Sequence, residues 1–378
     1  MGLLSGIRVV DFSRLLPGAA MTQLLADMGA DVIKIERPGD GDDIRRAGPM
    51  THGSSAVHLF LDRGKRSVAL DLKTSEGTAA AVKIASTADA VVESFRPGVA
   101  DQLGLSYEVL REHNPKLVVC SLNGYGNTGP RSLAAGHDLN YCAYAGILDF
   151  GGWAEEGPRP SGAQVADVTG GTLGAVGLLA AVLSASRTGQ GTRISVALAD
   201  AALWTIGIHV SAFLADGTQG PRSSDLNGSL PCYDVYECAD RRYVAVGALE
   251  PKFWHALVHA LNRPDLAPRQ YDSAATAELR ALFRSQPLSY WLATLEGTDA
   301  CVAPVQRFDE LTADPQFAAN GTFIEAPAGS GRITQVSTPL RSPAIDPPKR
   351  SAATTVGEHT AEVLAECGVG SLAEASSS

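Results

Sequence analysis

The fold class is decided by IRVVDF (7–12), MTQLLADMG (21–29) and DVIKIE (31–36), the first patterned stretch of the chain. The first and third segments are apolar and rich in β-branched residues, which is typical of strands. The second has apolar residues at helical spacing and ends on a glycine suited to the position after a helix. A strand, a helix and a second strand in this order predict two parallel strands.

The same alternation continues to about residue 200 and predicts a doubly wound, mostly parallel α/β sheet. The further predicted strands are SVALDL (67–72), DAVVESF (89–95), KLVVCSL (116–122) and TRISVAL (192–198). We assign 1–200 to a large, Rossmann-like domain that the C-terminal segment 331–378 completes. In such sheets ligands bind at the carboxyl ends of the strands.

A second domain follows, since 378 residues are too many for one ordinary core. ADAALWTIGIHVSAFLA (199–215) is helical, and a polar, turn-rich stretch comes after it, so we assign 201–230 to a linker helix and loop. A strand, YVAVGA (243–248), and mostly helical patterns after it predict a smaller α+β domain over 231–330.

Composition excludes several function classes. The net charge of −10 argues against nucleic-acid binding, which needs Lys and Arg to neutralise phosphates. The six cysteines form no CxxC pair, which favours reduced thiols in a cytoplasmic protein without a metal site. The uncharged segment Val168 to Ser186 is long enough for a membrane span, but its Gly, Ala and Thr content favours a buried helix and no membrane association. His255 and His259 have helical i,i+4 spacing without a third metal ligand.

A dinucleotide-binding enzyme would begin in the same way. The turn after the first predicted strand, SRLLPGAAM (13–21), lacks the GxGxxG glycines that let the backbone approach a pyrophosphate. Glu36 ends the second strand, where a ribose-binding acid would lie. Without these glycines the similarity of this chain to dinucleotide-binding enzymes is weak.

Polar residues at element ends are the candidate functional groups. Arg37 and Arg96 each follow a strand, so they are either surface residues or phosphate ligands at the sheet edge. His137 and Asp138 precede an apolar helical run, which makes Asp138 a candidate N-cap and puts His137 at a helix start. Asp167 precedes the uncharged helix; it is either a cap or an acid whose pKa burial raises. Glu250 is either a surface acid or a group that orients a histidine.

Four long motifs resemble the family III CoA-transferase superfamily. They are LLADMGADVIKIERPGDGD (24–42), RGKRSVALDLK (63–73), ADAVVESFRPGVADQLGL (88–105) and NPKLVVCSLNGYGNTGP (114–130). AGHDLNYCAYAGIL (135–148) and CYDVYECADRRYVAVGALEPKFW (232–254) are similar to its α-methylacyl-CoA racemase branch, whereas the transferases typically lack the histidine.

The resemblance implies roles for the candidate residues. His137 and Asp167 would be the acid/base pair, Glu250 would support the histidine, and the backbone N–H of Asp138 is our candidate donor to an enolate oxygen. The segments implied to hold CoA contain Arg37, Leu70, Asp71, Leu72, Lys73, Arg96, Gly136 and Tyr141. It further implies an interlocked homodimer, with an active site shared by the large domain of one subunit and the small domain of its partner.

The implied activity is epimerisation at C2 of a 2-methylacyl-CoA, with CoA as part of the substrate and no separate cofactor. The alternative is a CoA-transferase in which Asp167 is the nucleophile. Three departures bear on this choice: ADVTGGTLG (166–174) is similar to the transferases, Arg241 replaces an expected glycine, and only four methionines are available for a Met-rich acyl surface. The sequence does not specify the acyl chain of the substrate.

Overall fold

A six-stranded parallel sheet forms the centre of the larger of two units in the computed structural model. The structure describes residues 2–151, 157–217, 226–228, 230–329, 331–345 and 351–370. Unit 1 consists of Met1–Ala145, Ala163–Ile206 and Pro315–Ser378, and unit 2 of Gly146–Gly162 and Gly207–Asp314.

The elements are numbered in chain order. The strands are β1 (Arg8–Asp11), β2 (Asp31–Glu36), β3 (Met50–Thr51), β4 (Ser54–Ser55), β5 (Arg66–Ala69), β6 (Ala90–Glu93), β7 (Val118–Asn123), β8 (Arg193–Ala197), β9 (Tyr233–Glu237), β10 (Tyr243–Gly247), β11 (Val302–Pro304), β12 (Phe323–Ala328) and β13 (Gly331–Val336). The helices are α1 (Leu15–Asp27), α2 (Ala56–Leu61), α3 (Ser75–Ser86), α4 (Val99–Gln102), α5 (Tyr107–His113), α6 (Asp138–Tyr144), α7 (Ile147–Phe150), α8 (Val165–Thr188), α9 (Leu198–Thr205), α10 (Gly207–Asp216), α11 (Pro251–Ala260), α12 (Ser273–Phe283), α13 (Leu288–Leu295), α14 (Phe308–Leu311), α15 (Pro315–Ala319) and α16 (Thr360–Glu366). Two short 3₁₀ helices span Asp43–Arg46 and Pro264–Arg269.

The strand order of the large sheet is β5-β2-β1-β6-β7-β8, and every pairing is parallel. The chain builds one half outward from β1 and then returns to build the other half outward from β6. The predicted doubly wound parallel sheet is therefore confirmed. The predicted strand 67–72 ends early, at Ala69, because Leu70 and the residues after it leave the sheet for the turn that starts α3.

Alternate residues of the central strands face two separate cores. Val10 and Ile33 pack with α3, α5 and α16 on one face, whereas Val9 and Val32 pack with α1 and α8 on the other. Because helices cover both faces, the strands read as continuous apolar runs rather than as an alternating pattern.

Helix α8 packs one face against α1. Its buried positions recur at helical spacing, as at Gly170, Gly174 and Leu178. A Cβ atom on Gly171 would lie 2.5 Å from the carbonyl oxygen of Pro17, so this close approach requires glycine. By length and composition α8 is able to cross a membrane, and 39% of its most apolar window is buried. The prediction of a buried helix therefore holds for one face only.

Unit 2 is built on the three-stranded sheet β11-β10-β9, which is antiparallel and is covered by α11, α12 and α13. Its core is aromatic: Tyr236, Trp254 and Phe283 are fully buried. The indole N–H of Trp254 donates to the carbonyl oxygens of Leu266 and Ala267, both at 3.1 Å, so this polar group is satisfied inside the core.

The unit boundaries differ from the predicted ones. Strand β12 belongs to unit 1 rather than to the predicted domain 231–330, because Ala328 packs against Leu59 and β12 pairs with β13, which lies in the segment 331–378 predicted to complete the large domain. The guanidinium group of Arg63 donates to the side chain of Gln335 in β13 at 3.1 Å. The helix predicted over 199–215 divides into α9, in unit 1, and α10, in unit 2. Residues 218–225 and 229 of the predicted linker lie outside the described residues.

Candidate active site

A cavity of about 420 Å³ opens at the carboxyl edge of the large sheet, where the strand order reverses between β1 and β6. Its walls follow four strands: Phe12 comes after β1, Arg37 after β2, Leu70 after β5 and Phe95 after β6. Ligands of doubly wound sheets bind at this position. We call it the switch-point cavity.

Five of the eight predicted binding residues line the switch-point cavity. They are Arg37, Leu70, Asp71, Leu72 and Lys73. The sequence reasoning missed Phe12, Arg14 and Phe95, which also line it. Their signal was position, since they come within three residues of the ends of β1 and β6, the strands on either side of the reversal.

A tight turn between β5 and α3 holds Lys73 at the cavity. The carboxylate of Asp71 accepts the backbone N–H of Lys73 at 3.0 Å, and the hydroxyl of Thr74 accepts the N–H of Gly77 at 3.1 Å to cap α3. A Cβ atom on Gly77 would lie 2.1 Å from the carbonyl oxygen of Asp71. The turn therefore depends on a glycine that the sequence analysis did not single out.

Buried charged side chains next to the cavity hold the loop after β1 in place. Lys34 Nζ lies 2.8 Å from Asp42 Oδ2, and both side chains are almost inaccessible to solvent. Burial alone would lower the pKa of Lys34, but the carboxylates of Asp62, Asp11 and Asp42 raise it above its usual value. Asp42 also accepts the backbone N–H of Leu15 at 3.2 Å, which holds Leu15 in a left-handed conformation with φ +61°. This network fixes the loop that follows β1.

A second group of residues lies at the starts of two packed helices, α6 and α8. Asp138 is the first residue of α6, and Asp167 lies in the first turn of α8. The carboxylate of Asp138 accepts the backbone N–H of Asp167 at 3.1 Å. We call His137, Asp138, Tyr141 and Asp167 the helix-start cluster.

Two details of this cluster differ from the prediction. The N-cap of α6 is His137 rather than Asp138, and the amide oxygen of Asn140 accepts the backbone N–H of His137 at 3.0 Å. Asp167 is inside α8 rather than before it. The carboxylate of Asp138 instead accepts the N–H of Asp167 in the first turn of α8, so a helix-start N–H is satisfied by a side chain from a distant part of the sequence. The imidazole of His137 is exposed.

The carboxyl group of Asp167 is electrostatically unusual. Burial, and to a smaller extent the charge of Asp138, raise the pKa of Asp167 to about 7. The prediction that burial raises the pKa of this carboxyl group is confirmed. Near neutral pH Asp167 is therefore able both to take up and to release a proton.

Tyr141 connects the cluster to another predicted residue, Arg96. Burial and the nearby Asp167 raise the pKa of Tyr141 to about 12, and Arg96 opposes this shift. The hydroxyl group of Tyr141 donates to the carbonyl oxygen of Gly136 at 2.6 Å. Gly136 and Arg96 thus lie near Tyr141 of the helix-start cluster, and none of these three residues lines the switch-point cavity.

Glu250 belongs to unit 2, where it is exposed and is the N-cap of α11. Its predicted support of His137 would join the two units and stays a prediction. Arg241, which stands where the resemblance led us to expect a glycine, adopts φ +60°. This is the left-handed region that glycine occupies without strain, which agrees with the expectation of a glycine at this position.

His255 and His259 line a cavity in unit 2 together with Asp299. Among the described residues, no three His, Cys, Asp or Glu side chains form a group suited to a metal ion.

The comparisons with known proteins identify the family. The model of "CoA-transferase family III" matches residues 4–360. The chain belongs to this family. The resemblance stated from the sequence motifs is therefore confirmed.

A racemase and a CoA-transferase of known reaction are equally similar to this chain. The α-methylacyl-CoA racemase of Homo sapiens is 34% identical over 372 residues, covering 97% of this chain and 93% of the relative. The succinyl-CoA:mesaconate CoA-transferase of Haloarcula hispanica is also 34% identical, over 389 residues and 98% of both chains. Identity alone therefore does not separate racemase from transferase.

Solved structures show the same fold. A CAIB/BAIF family protein from Brucella suis superposes with a TM-score of 0.84 at 31% identity, covering 97% of this chain and 99% of its own. The orthorhombic form of Rv3272 from M. tuberculosis superposes with a TM-score of 0.81 at 31% identity, covering 95% and 98%.

Proposed function

We propose that this family III enzyme is an α-methylacyl-CoA racemase, with His137 and Asp167 as its acid/base pair. The observation that carries the proposal is the helix-start cluster, where Asp167 in the first turn of α8 is hydrogen-bonded through its N–H to Asp138, next to a histidine at the start of α6. Burial raises the pKa of Asp167 to about 7 in this cluster. A racemase needs two groups that each act as base in one direction and as acid in the other. A carboxyl group that titrates near neutrality meets this requirement better than one at its ordinary pKa.

The reaction exchanges one proton at C2 of the acyl group. His137 takes the C2 proton from the S epimer, the electrons move onto the thioester carbonyl to give a planar enolate, and Asp167 returns a proton to the opposite face. In the R direction Asp167 is the base and His137 the acid. No other oxidant, reductant or cofactor is needed for atoms and charges to balance.

The enolate oxygen requires a hydrogen-bond donor. The backbone N–H of Asp138 is our candidate, because the first N–H groups of a helix have no partner within it. One such donor is typically worth about 10²–10³ in rate.

The switch-point cavity would hold the nucleotide end of CoA. Arg37 and Lys73 would face its phosphates, and the apolar walls from Leu70 and Phe95 would face the adenine. Arg96, Gly136 and Tyr141 would lie nearer the thioester, because they surround the helix-start cluster. Binding energy from the nucleotide end would then be available at a distance from the reacting carbon.

We further propose a cytoplasmic homodimer with interlocked subunits, in which Glu250 orients His137. Large apolar side chains are exposed on both units, for example Val176 at 61%, Trp204 at 69% and Leu214 at 76%. Exposed apolar surface of this kind is typical of protein interfaces.

The second candidate function is CoA transfer. It is favoured by the likeness to the Haloarcula hispanica transferase. In that reaction the ionised Asp167 attacks the thioester carbonyl, and the products of the step are an acyl anhydride on Asp167 and a free CoA thiolate. Both reactions use the ionised form of Asp167, as the base for the R epimer or as the nucleophile, so the raised pKa of Asp167 is compatible with either.

Isotope exchange distinguishes the two reactions. One epimer of a 2-methylacyl-CoA is incubated with the protein in heavy water, with no carboxylic acid added. We expect deuterium at C2 and formation of the other epimer. If deuterium never enters C2 and CoA instead moves to an added carboxylate, the racemase proposal is wrong.

A further inference from the structure

One peptide group, between Gly136 and His137, is held at both of its polar atoms. Its carbonyl oxygen accepts a hydrogen bond from the hydroxyl group of Tyr141 at 2.6 Å. Its N–H donates to the amide oxygen of Asn140 at 3.0 Å. The carbonyl oxygen of His137 accepts the first backbone hydrogen bonds of α6, from Asn140 at 2.8 Å and Tyr141 at 3.2 Å. Because the imidazole itself is exposed, the direction in which it leaves the helix start depends on these backbone contacts.

Tyr141 is fixed by packing as well as by its hydrogen bond. Its buried ring occupies space left open by Gly124 and Gly136, the glycines near the two ends of the loop between β7 and α6. A Cβ atom on Gly124 would lie 2.6 Å from ring carbon Cε1, and one on Gly136 would lie 2.7 Å from it. Burial and the nearby Asp167 raise the pKa of Tyr141 to about 12, so its hydroxyl keeps the proton that it donates at neutral pH. The two glycines therefore place this hydroxyl against the peptide that precedes His137.

Aromatic contacts attach the middle of the same loop to α6. The ring of Tyr125 meets those of Tyr141 and Tyr144 edge to face, with centroids 5.1 and 5.5 Å apart. The guanidinium group of Arg131 lies 4.7 Å from the centroid of the Tyr144 ring. The loop that leads to His137 is thus attached at its start, middle and end to the helix that follows it.

We propose that Tyr141 and Asn140 are positioning residues for His137, which hold it where it exchanges a proton with C2 of the substrate. The inference rests on the proposed function, because it requires His137 to be one of the two bases. Both residues act through the peptide that precedes His137, and a base misplaced by about 1 Å loses about 10²-fold in rate. Asp167 belongs to α8, which packs on α1, so the loss of either hydrogen bond should impair one base and spare the other.

Deuterium exchange separates the two bases. The R epimer of a 2-methylacyl-CoA is incubated in heavy water with the protein and with Tyr141→Phe or Asn140→Ala. Two rates are followed: entry of deuterium into the remaining R epimer, which needs Asp167 alone, and formation of the S epimer, which needs both bases. Tyr144→Phe is the matched control, since it removes a tyrosine hydroxyl from an exposed position of the same helix.

Tyr141→Phe removes the hydroxyl and keeps the ring between the two glycines. We expect formation of the S epimer to fall about tenfold, which is the effect of about one lost hydrogen bond, while deuterium enters the R epimer at an unchanged rate. Asn140→Ala should give the same pattern, because it frees the other side of the same peptide group. Tyr144→Phe should change neither rate.

An unchanged rate of exchange also shows that a variant is folded and binds the substrate. The proposal is overturned if Tyr141→Phe or Asn140→Ala lowers both rates by the same factor, because the residue would then act on substrate binding or on folding. It is overturned as well if both rates stay at those of the unchanged protein. If the unchanged protein itself introduces no deuterium, the proposed function fails instead.

Discussion

The switch-point cavity and the helix-start cluster belong to the same unit but are formed by different secondary-structure elements and by different charged residues. The cavity is formed by loops that follow parallel strands, and its lining includes four basic side chains, Arg14, Lys34, Arg37 and Lys73, beside the acids Glu36, Asp42 and Asp71. The cluster is formed by the starts of α6 and α8, and its charged groups are carboxylates beside a histidine. One region is suited to hold an anion, and the other contains a carboxyl group that titrates near neutral pH.

This difference implies that binding and chemistry are separable. Substitutions in the switch-point cavity should change the affinity for CoA, and substitutions in the helix-start cluster should change the rate of the chemical step. Each of the following predictions tests one side of this division, from the largest expected effect to the smallest.

Asp167→Asn should nearly abolish activity. Removing one essential acid/base group costs on the order of 10²–10⁴ in rate. The affinity for CoA should stay within about twofold, because Asp167 does not line the cavity. Steady-state kinetics and calorimetry measure the two quantities. A large loss of CoA affinity would show that the two regions are not separable.

The same substitution should stabilise the folded protein at alkaline pH. The pKa of Asp167 is about 7 in the folded state against an ordinary value of 3.8, so stability is lost as the pH rises from about 4 to about 7. Asparagine does not ionise, and Asp167→Asn should therefore gain up to about 4 kcal/mol at pH 8, from a shift of about three units at ~1.4 kcal/mol each. Denaturant unfolding at pH 4 and pH 8 measures this. An equal change at both pH values would contradict a raised pKa.

Arg37→Ala should weaken the binding of CoA without changing the rate of the chemical step. The loss of one charge-assisted contact to a phosphate should weaken CoA about tenfold and leave kcat within about twofold. The matched control is Arg111→Ala, which should change neither quantity. A fall in kcat of the same size as the rise in KM would place Arg37 in the chemical step.

The pH dependence of kcat/KM should show that Asp167 is the base that acts on the R epimer. Because the base must be ionised, kcat/KM for the R epimer should rise with pH up to about 7 and then level off. Burial is the main cause of the raised pKa of Asp167, and the charge of Asp138 adds to it; Asp138→Asn keeps an acceptor for the N–H of Asp167 but removes this charge. The midpoint should therefore move to lower pH. A midpoint that stays in place would mean that Asp138 does not affect the pKa of Asp167, and one that moves upward would contradict the direction of its effect.

The switch-point cavity could largely be predicted from the sequence. Parallel strands bring the residues after their carboxyl ends together, so Arg37 and Leu70 to Lys73 were predicted from position and motif. Arg14 was missed because it comes three residues after the end of β1, and its position there was not supported by any motif. Its ion pair with Asp43 depends on the left-handed turn at Leu15, which no local pattern indicates.

The helix-start cluster could be predicted only in part. His137 and Asp167 were assigned as a pair through the family resemblance, since each residue alone is more often a cap. The hydrogen bond from the N–H of Asp167 to Asp138 joins positions 29 residues apart, and it corrected the predicted caps of both helices. Such long-range capping depends on how α6 packs against α8, which sequence periodicity does not specify.

The most direct test of the two-base account follows each epimer separately in heavy water with His137→Gln and Asp167→Asn. We expect His137→Gln to incorporate deuterium at C2 of the R epimer without inverting it, because Asp167 still removes and returns that proton, and to leave the S epimer unlabelled. Asp167→Asn should show the reverse pattern. If either variant labels both epimers equally, or if His137→Gln still inverts the R epimer at the original rate, then His137 and Asp167 are not the two bases.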